Sequence, residues 1–202
     1  MSTRIWLYRH AEAEKNLDPS KVGGQNKFSP LTTTGESQAE RLAEVLRERS
    51  PFHAIYTSQC TRSIQTGEAI RRALPYGIEM FALRELDELS QGVFEDQPRT
   101  NFVEMIDRHP DEKVSCGQSM REVGDITQYM LARIGEWHPD QDVAVVGHAI
   151  AGRCFVASLG SYTEAAIQYA FRLEIPHCSE TKIVYNEGNF AIEAIGQELF
   201  SL

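Results

Sequence analysis

Apolar residues fall along the chain in short unbroken runs that alternate with helically spaced sets. Ile5-Trp6-Leu7-Tyr8 is a compact run ending at a polar stretch from Arg9 to Gly24, the pattern of a buried strand. A loop rich in Gly, Asn, Ser and Pro follows, from Asp18 to Pro30. Thr33 or Thr34 is placed to cap the next helix. There Ala39, Leu42, Ala43 and Leu46 share one face, and Ser50-Pro51 stops it. Ala54–Thr57 reads as a second strand, Cys60–Leu74 as a helix closed by Pro75, and Ile78–Leu83 as a third strand. Glu85–Arg99 is acidic and loop-like, with Gly92 and Pro98. A short helix is predicted over Phe102–Arg108, ended by Pro110. A long amphipathic helix is predicted over Ser119–Trp137, with Val123, Ile126, Met130 and Ile134 on one face. Asp142–Gly147 carries the strongest strand signal, and its continuous apolar character marks the centre of a parallel sheet covered on both faces. A helix over Ala149–Leu159 follows. Thr181–Tyr185 and Phe190–Ile195 then flank Asn186-Glu187-Gly188-Asn189, a hairpin signal.

Strands alternate with helices until that hairpin. The expected fold is α/β: a three-layer α/β/α sandwich around a mostly parallel central sheet with an antiparallel edge strand. No internal repeat or linker divides the chain, so one domain is expected over residues 1–202. The stretch from about 87 to 116 is a candidate small cap over the active face.

Composition narrows the class. The chain has 202 residues, 42% hydrophobic and 24% charged, the balance of a globular domain that needs no disulfides. No apolar run approaches the ~20 residues that span a bilayer, so no membrane partner is expected. Met1-Ser2-Thr3-Arg4 leads into a run of only four apolar or aromatic residues before Arg9, too few for a secretory signal. Cys60, Cys116, Cys154 and Cys178 form no C-x-x-C pair. They read as reduced thiols in a cytoplasmic protein. A net charge of −9 argues against a nucleic-acid partner, while a local arginine cluster can still draw an anion into a pocket.

Ligand sites of such sheets lie beyond the carboxyl ends of the strands. Arg9 and His10 follow the first predicted strand. Ser58, Arg62 and Ser63 follow the second, Glu85, Asp87 and Glu88 the third, and His148 the fourth. Two histidines, two arginines and several carboxylates therefore converge on one edge. That set suits phosphoryl transfer. A neutral imidazole can attack phosphorus and hold the phosphoryl group, arginines match phosphate oxygens with paired donors, and a carboxylic acid can protonate the leaving oxygen and then activate water. The scheme requires neither metal nor cofactor.

These residues resemble a known family. Arg9-His10-Ala11-Glu12-Ala13-Glu14-Lys15-Asn16 is similar to the R-H-G-E-x-x-x-N signature of the histidine phosphatase superfamily, the phosphoglycerate-mutase-like proteins. Four further segments match in order: Ser29-Pro30-Leu31-Thr32 with Gly35, Gln38 and Ala39; Tyr56-Thr57-Ser58 with Arg62, Thr66 and Ala69; Glu88 with Gly92 and Glu95; and Val145-Val146-Gly147-His148. The resemblance covers most of the chain. It implies that His10 is the nucleophile, that Arg9, Arg62 and His148 complete the phosphate pocket, that Asn16 is a further phosphate or substrate contact, and that Glu88 is the general acid. Three positions depart from the pattern: Ala11 and Asp96 where glycine is usual, and Gln118 in place of the glutamate of G-E-S.

Other groups read more plainly. His53, His109, His138 and His177 are expected as surface or hydrogen-bonded residues, and Glu12 as a loop acid. Glu85 competes with Glu88 and loses on its register against Gly92 and Glu95. Arg84, Arg121 and Arg153 are expected as solvated ion-pair partners, Trp6 and Trp137 as packing, and Cys60 as incidental. The expected activity is hydrolysis of a small-molecule phosphomonoester through phosphohistidine. Three alternatives remain: a phosphoglycerate mutase, a protein phosphohistidine or phosphotyrosine phosphatase, and an inactive binding protein on the same fold. Only about thirty residues separate Glu88 from Gly117, short for a mutase. The loops 17–28 and 94–116 are where specificity is expected, with Lys21, Lys27, Arg99 and Arg108 as candidate contacts to a second anionic group. The substrate and the oligomeric state stay open, a homodimer among the options.

Overall fold

The computed structural model describes residues 2–49, 52–74, 77–98 and 111–200. Six strands form one sheet: β1 (Ser2–Arg9), β2 (Ala54–Thr57), β3 (Glu79–Ala82), β4 (Asp142–Gly147), β5 (Glu180–Asn186) and β6 (Asn189–Gln197). Their spatial order is β3-β2-β4-β1-β5-β6. β3, β2, β4 and β1 run parallel, and β5 pairs antiparallel with both β1 and β6. The reversed strand is thus β5, one in from the edge, because the hairpin turns β6 back into the common direction.

Two layers of helix cover the sheet, and strand alternation decides which residues face which layer. Tyr8, Ile55, Ala144 and Val146 pack with α1 (Thr33–Arg47) and α2 (Thr61–Ala73). Ile5, Tyr56, Val143 and Val145 face the other way, onto α3 (Met120–Trp137), α4 (Ala149–Leu159) and α5 (Glu164–Arg172). Every residue of β4 is buried, as its unbroken apolar run predicted.

Several boundaries differ from expectation. Thr32, rather than Thr33 or Thr34, caps α1, its side chain accepting from Gly35 N at 2.9 Å. α1 ends at Arg47, short of Ser50-Pro51. β3 is only four residues long. Ile126 lies 40% exposed on α3. The α5 helix is an addition to the expected elements; Thr163 caps it at Ala166 N, and Ala170 is buried beneath it. The predicted helix over Phe102–Arg108 with Pro110, together with Arg99 and His109, lies outside the described residues. Gln91–Gln97 closes against the Val22–Gly24 loop: Val22 N donates to Gln97 O at 2.9 Å, and Gly24 N to Gln91 Oε1 at 2.7 Å. Among the described residues no helix is long and apolar enough to cross a membrane.

Candidate active site

Strand register assembles the site. Arg9 of β1 lies opposite Gly147 of β4, so the next residues along each strand, His10 and His148, leave the sheet side by side. His10 N donates to Gly147 O at 3.0 Å, and the two imidazole centroids are 5.1 Å apart. β2 ends beside them, and α2, starting at Thr61, brings Arg62 between the two rings. All three side chains are buried: His10 2% exposed, His148 3% and Arg62 0%.

Hydrogen bonding fixes the protonation of His10. A guanidinium only donates, and Arg62 Nε points at His10 Nε2 across 3.1 Å. Nε2 therefore carries a lone pair. The proton sits on Nδ1, which donates to Ala11 O at 2.6 Å. Burial, then the neighbouring His148, Arg62 and Arg9, hold the His10 pKa well below the usual histidine value, so the ring is neutral with a lone pair on Nε2. The same logic applies to His148. Arg62 Nη2 approaches its Nδ1 at 3.4 Å, and its Nε2 faces Ser58 Oγ at 2.7 Å. Burial and Arg62 depress its pKa too.

The loop carrying His10 is braced at every turn. Ala11 N donates to Thr66 Oγ1 at 3.1 Å, Glu12 N to Gln38 Oε1 at 2.9 Å, and Lys15 N to Ser29 Oγ at 2.9 Å. Thr32 Oγ1 donates to the Glu12 carboxylate at 2.7 Å. The motif residues Ser29, Thr32, Gln38 and Thr66 are thus scaffold for the His10 loop, and Glu12 is a structural loop acid. Ala11 lies outside the left-handed region, so alanine meets no backbone penalty there.

A cavity of about 300 Å³ opens above His10, lined among others by Arg9, Lys15, Asn16, Glu88, Arg153 and His177. Glu88 is 6% exposed. Its carboxylate accepts from Leu89 N, Ile150 N and Ala151 N at 3.0, 3.3 and 2.8 Å. Glu85 lines a neighbouring cavity instead, whereas Glu88 lines the one that holds His10. Gly92, in the left-handed region at φ +51, lets the Glu88 loop fold against Ser115–Gly117, where a Cβ would stand 2.2 Å from Ser115 O. Gln118 Oε1 accepts from Ser90 N at 3.1 Å, so this departure braces the same loop, while Ser119 starts α3. Asn16 lines the cavity, and its Oδ1 closes the local turn by accepting from Ala13 N at 3.0 Å.

Three cavity residues carry more than the sequence pattern assigns them. Arg153, expected in solvent, lines the cavity with its guanidinium donating to Leu173 O at 2.8 Å. Lys15 is tucked into the wall with Nζ on the carbonyls of Gly23 and Gly24. Burial and Arg62 lower it to about 8. His177, expected as a surface or hydrogen-bonded histidine, has its ring centroid 5.7 Å from that of His10 and accepts from Arg9 Nη2 at 2.7 Å. Arg9 also donates to Ile175 O at 2.8 Å. Burial lowers Arg9 to about 10, so it stays cationic at neutral pH. Of the lysines predicted for a second anionic group, Lys21 lines the cavity, whereas Lys27 is ion-paired with Asp87 at 2.6 Å. His138 is hydrogen-bonded to Tyr56 and Gln141, as expected. Cys60 precedes α2 as its cap residue, and Trp137, 48% exposed, packs its covered side against Tyr56, ring centroids 6.4 Å apart. Among the described residues no cluster of His, Cys, Asp and Glu could hold a metal ion.

Comparison with known proteins agrees with this geometry. A family model described as histidine phosphatase superfamily (branch 1) matches residues 5–198. A Salmonella typhi protein named "Probable phosphoglycerate mutase GpmB" is 30% identical over 196 residues, covering 93% of this chain and 87% of its own. The structure of a mycobacterial glucosyl-3-phosphoglycerate phosphatase superposes with a TM-score of 0.81 at 17% identity, over 98% of this chain and 100% of that one. A phosphoserine phosphatase variant from Entamoeba histolytica, solved with phosphoserine, gives 0.80 at 18% identity, over 96% of this chain. At such identities the two structures establish the shared fold.

Proposed function

Because the chain belongs to branch 1 of the histidine phosphatase superfamily, we propose that it hydrolyses a small-molecule phosphomonoester through a phosphohistidine at His10. The observation that carries this reading is the pair of hydrogen bonds to His10, which leaves the Nε2 lone pair facing Arg62. A phosphoryl group bound by Arg62 and Arg9 meets that lone pair in line. Nε2 bonds to phosphorus, the ester P–O bond breaks, and Glu88 gives its proton to the departing alkoxide. Water then attacks phosphorus, Glu88 takes the water proton, and the N–P bond breaks to release orthophosphate. His148 supports a phosphoryl oxygen once its Nδ1 carries a proton, and the Ser58 hydroxyl, able to donate or accept, permits that change of tautomer. The depth of His10 beneath a cavity of about 300 Å³ favours a small substrate over a phosphorylated protein.

The naming of the 30% identical relatives supports a second reading, phosphoryl return to a bound isomer as in a phosphoglycerate mutase. One experiment separates the two: orthophosphate release from a panel of sugar phosphates, phosphoglycerates, nucleotides, phosphoamino acids and an aryl phosphate, with chelator present, beside isomer exchange on the phosphoglycerates. Release by the wild type, lost in His10→Ala along with an acid-labile phosphoenzyme, is the expected result. Exchange without release makes the protein a mutase, and turnover that survives His10→Ala refutes the nucleophile.

A further inference from the structure

We infer that His177 is a positioning residue: a neutral imidazole that orients the Arg9 guanidinium toward the phosphoryl site from a wall beside His10. The inference rests on the reading of Arg9 as a phosphoryl ligand. Residues 175–179 enclose Arg9 on its main chain and its side chain alike. Arg9 N donates to Ser179 O at 3.1 Å, and Cys178 N donates to Arg9 O at 3.0 Å. Arg9 Nη1 donates to Ile175 O, and Nη2 to His177 Nε2. Cys178 holds a left-handed conformation at φ +59 to make this turn, a strained arrangement kept only where its surroundings enforce it.

The chemistry of the pair is fixed by its members. Arginine cannot accept a hydrogen bond, so His177 Nε2 holds a lone pair and the ring proton is on Nδ1. Burial and the adjacent Arg9 lower the His177 pKa to about 3, in keeping with that geometry. An uncharged acceptor suits the task. A carboxylate in its place would fix Arg9 as firmly but would cancel its charge and repel a phosphate dianion. Arg9 Nε, buried and without a hydrogen-bond partner among the described residues, is left for a phosphoryl oxygen.

Orthophosphate binding, measured by calorimetry without need of turnover, tests the idea. His177→Gln keeps a neutral acceptor and is expected within about threefold of the wild type. His177→Leu has none and is expected to bind roughly tenfold more weakly, the scale of one charge-assisted hydrogen bond. His177→Glu is expected to be weaker still. KM for the best phosphomonoester should follow the same order. A Leu variant that binds like the wild type, or a Gln variant as weak as Leu, overturns the inference. No orthophosphate binding by the wild type removes the phosphoryl-site reading and this inference with it. If the Leu variant does not fold, long-range proton–nitrogen spectra of the wild-type ring decide: Nδ1 protonated and Nε2 bare at pH 7 is expected, and a proton on Nε2 overturns the assignment.

Discussion

Glu88 accepts the backbone N–H of Ala151 at 2.8 Å, which ties the proposed acid to the first turn of the helix that begins just after His148. One strand-to-helix junction therefore places both the second histidine and the carboxyl group. Helix N-termini offer unpaired N–H donors aligned with a positive dipole end, and Glu88 uses two of them. Glu88→Gln keeps an amide oxygen for those donors but has no proton to transfer. The expected result on alkyl phosphates is a kcat lower by about 10²–10⁴ with a much smaller change in KM. On an aryl phosphate, whose leaving group departs without protonation, the deficit should shrink. Equal losses on both substrates would mean that Glu88 acts on binding instead.

Acid should destabilise this fold through its buried imidazoles. His10, His148 and His177 all have pKa values lowered by burial, His177 to about 3. Below the unfolded value near 6.5 the unfolded chain takes up protons that the native state refuses, so stability is full above that pH and falls as pH drops below it. Each such histidine contributes a slope of up to about 1.4 kcal/mol per pH unit. Urea unfolding between pH 7 and pH 5 should show the decline, and His177→Gln should flatten it by up to one histidine's share. A pH-independent midpoint across that window would show that these rings titrate normally in the native state.

Most of this site is legible in the sequence because each parallel strand carries the residues beyond its C-terminal end to the same edge of the sheet. His10 after β1, Arg62 after β2 and His148 after β4 are recovered by that logic, and the β4 boundaries are readable from its apolar run alone. His177 escapes it for the converse reason. β5 is antiparallel, so the residues it brings to the carboxyl edge of the sheet are those that precede it. The hairpin signal already implies a reversed strand, and that is the ground on which the segment Ile175–Ser179 could be singled out. Lys15 leaves no comparable trace, since nothing in a polar loop distinguishes a lysine turned into the wall from one in water. Helix α5 gives little signal because its nine residues are too few for a clear period.

Gly35 sits where α1 meets the His10 loop, and a Cβ there would fall 1.9 Å from Glu12 O. No flexible side chain can yield, because the obstacle is backbone two residues from His10. Gly35→Ala is expected to push that loop outward, at a cost of about 1–3 kcal/mol in stability. The displaced loop should also lower kcat/KM by more than tenfold, since small misplacements of a reacting group are costly. Denaturant unfolding and steady-state kinetics on one preparation check both. Full activity with wild-type stability would show that α1 shifts freely, contrary to its anchoring through Thr32 and Gln38.

Asp96 occupies a position that suits glycine better. Its φ is +63, its side chain is exposed, and its N–H donates to Val22 O at 2.9 Å where the Gln91–Gln97 segment meets the cavity loop. A Cβ in the left-handed region costs about 1–2 kcal/mol, somewhat less for Asp, whose short polar side chain bonds locally. Glycine removes that penalty and gives back part of the gain as unfolded-state entropy. Asp96→Gly should therefore raise stability by roughly 0.5–1 kcal/mol, and Asp96→Ala should lower it by a similar amount. For a chain of this length the corresponding shifts are about 1–4 °C in Tm. The expected order in thermal unfolding is Gly above Asp above Ala, with kcat unchanged because the side chain is exposed to solvent. If Ala matched Asp, local hydrogen bonding would not be what makes Asp tolerable here. If Gly were the least stable of the three, the left-handed backbone would impose no penalty for glycine to relieve.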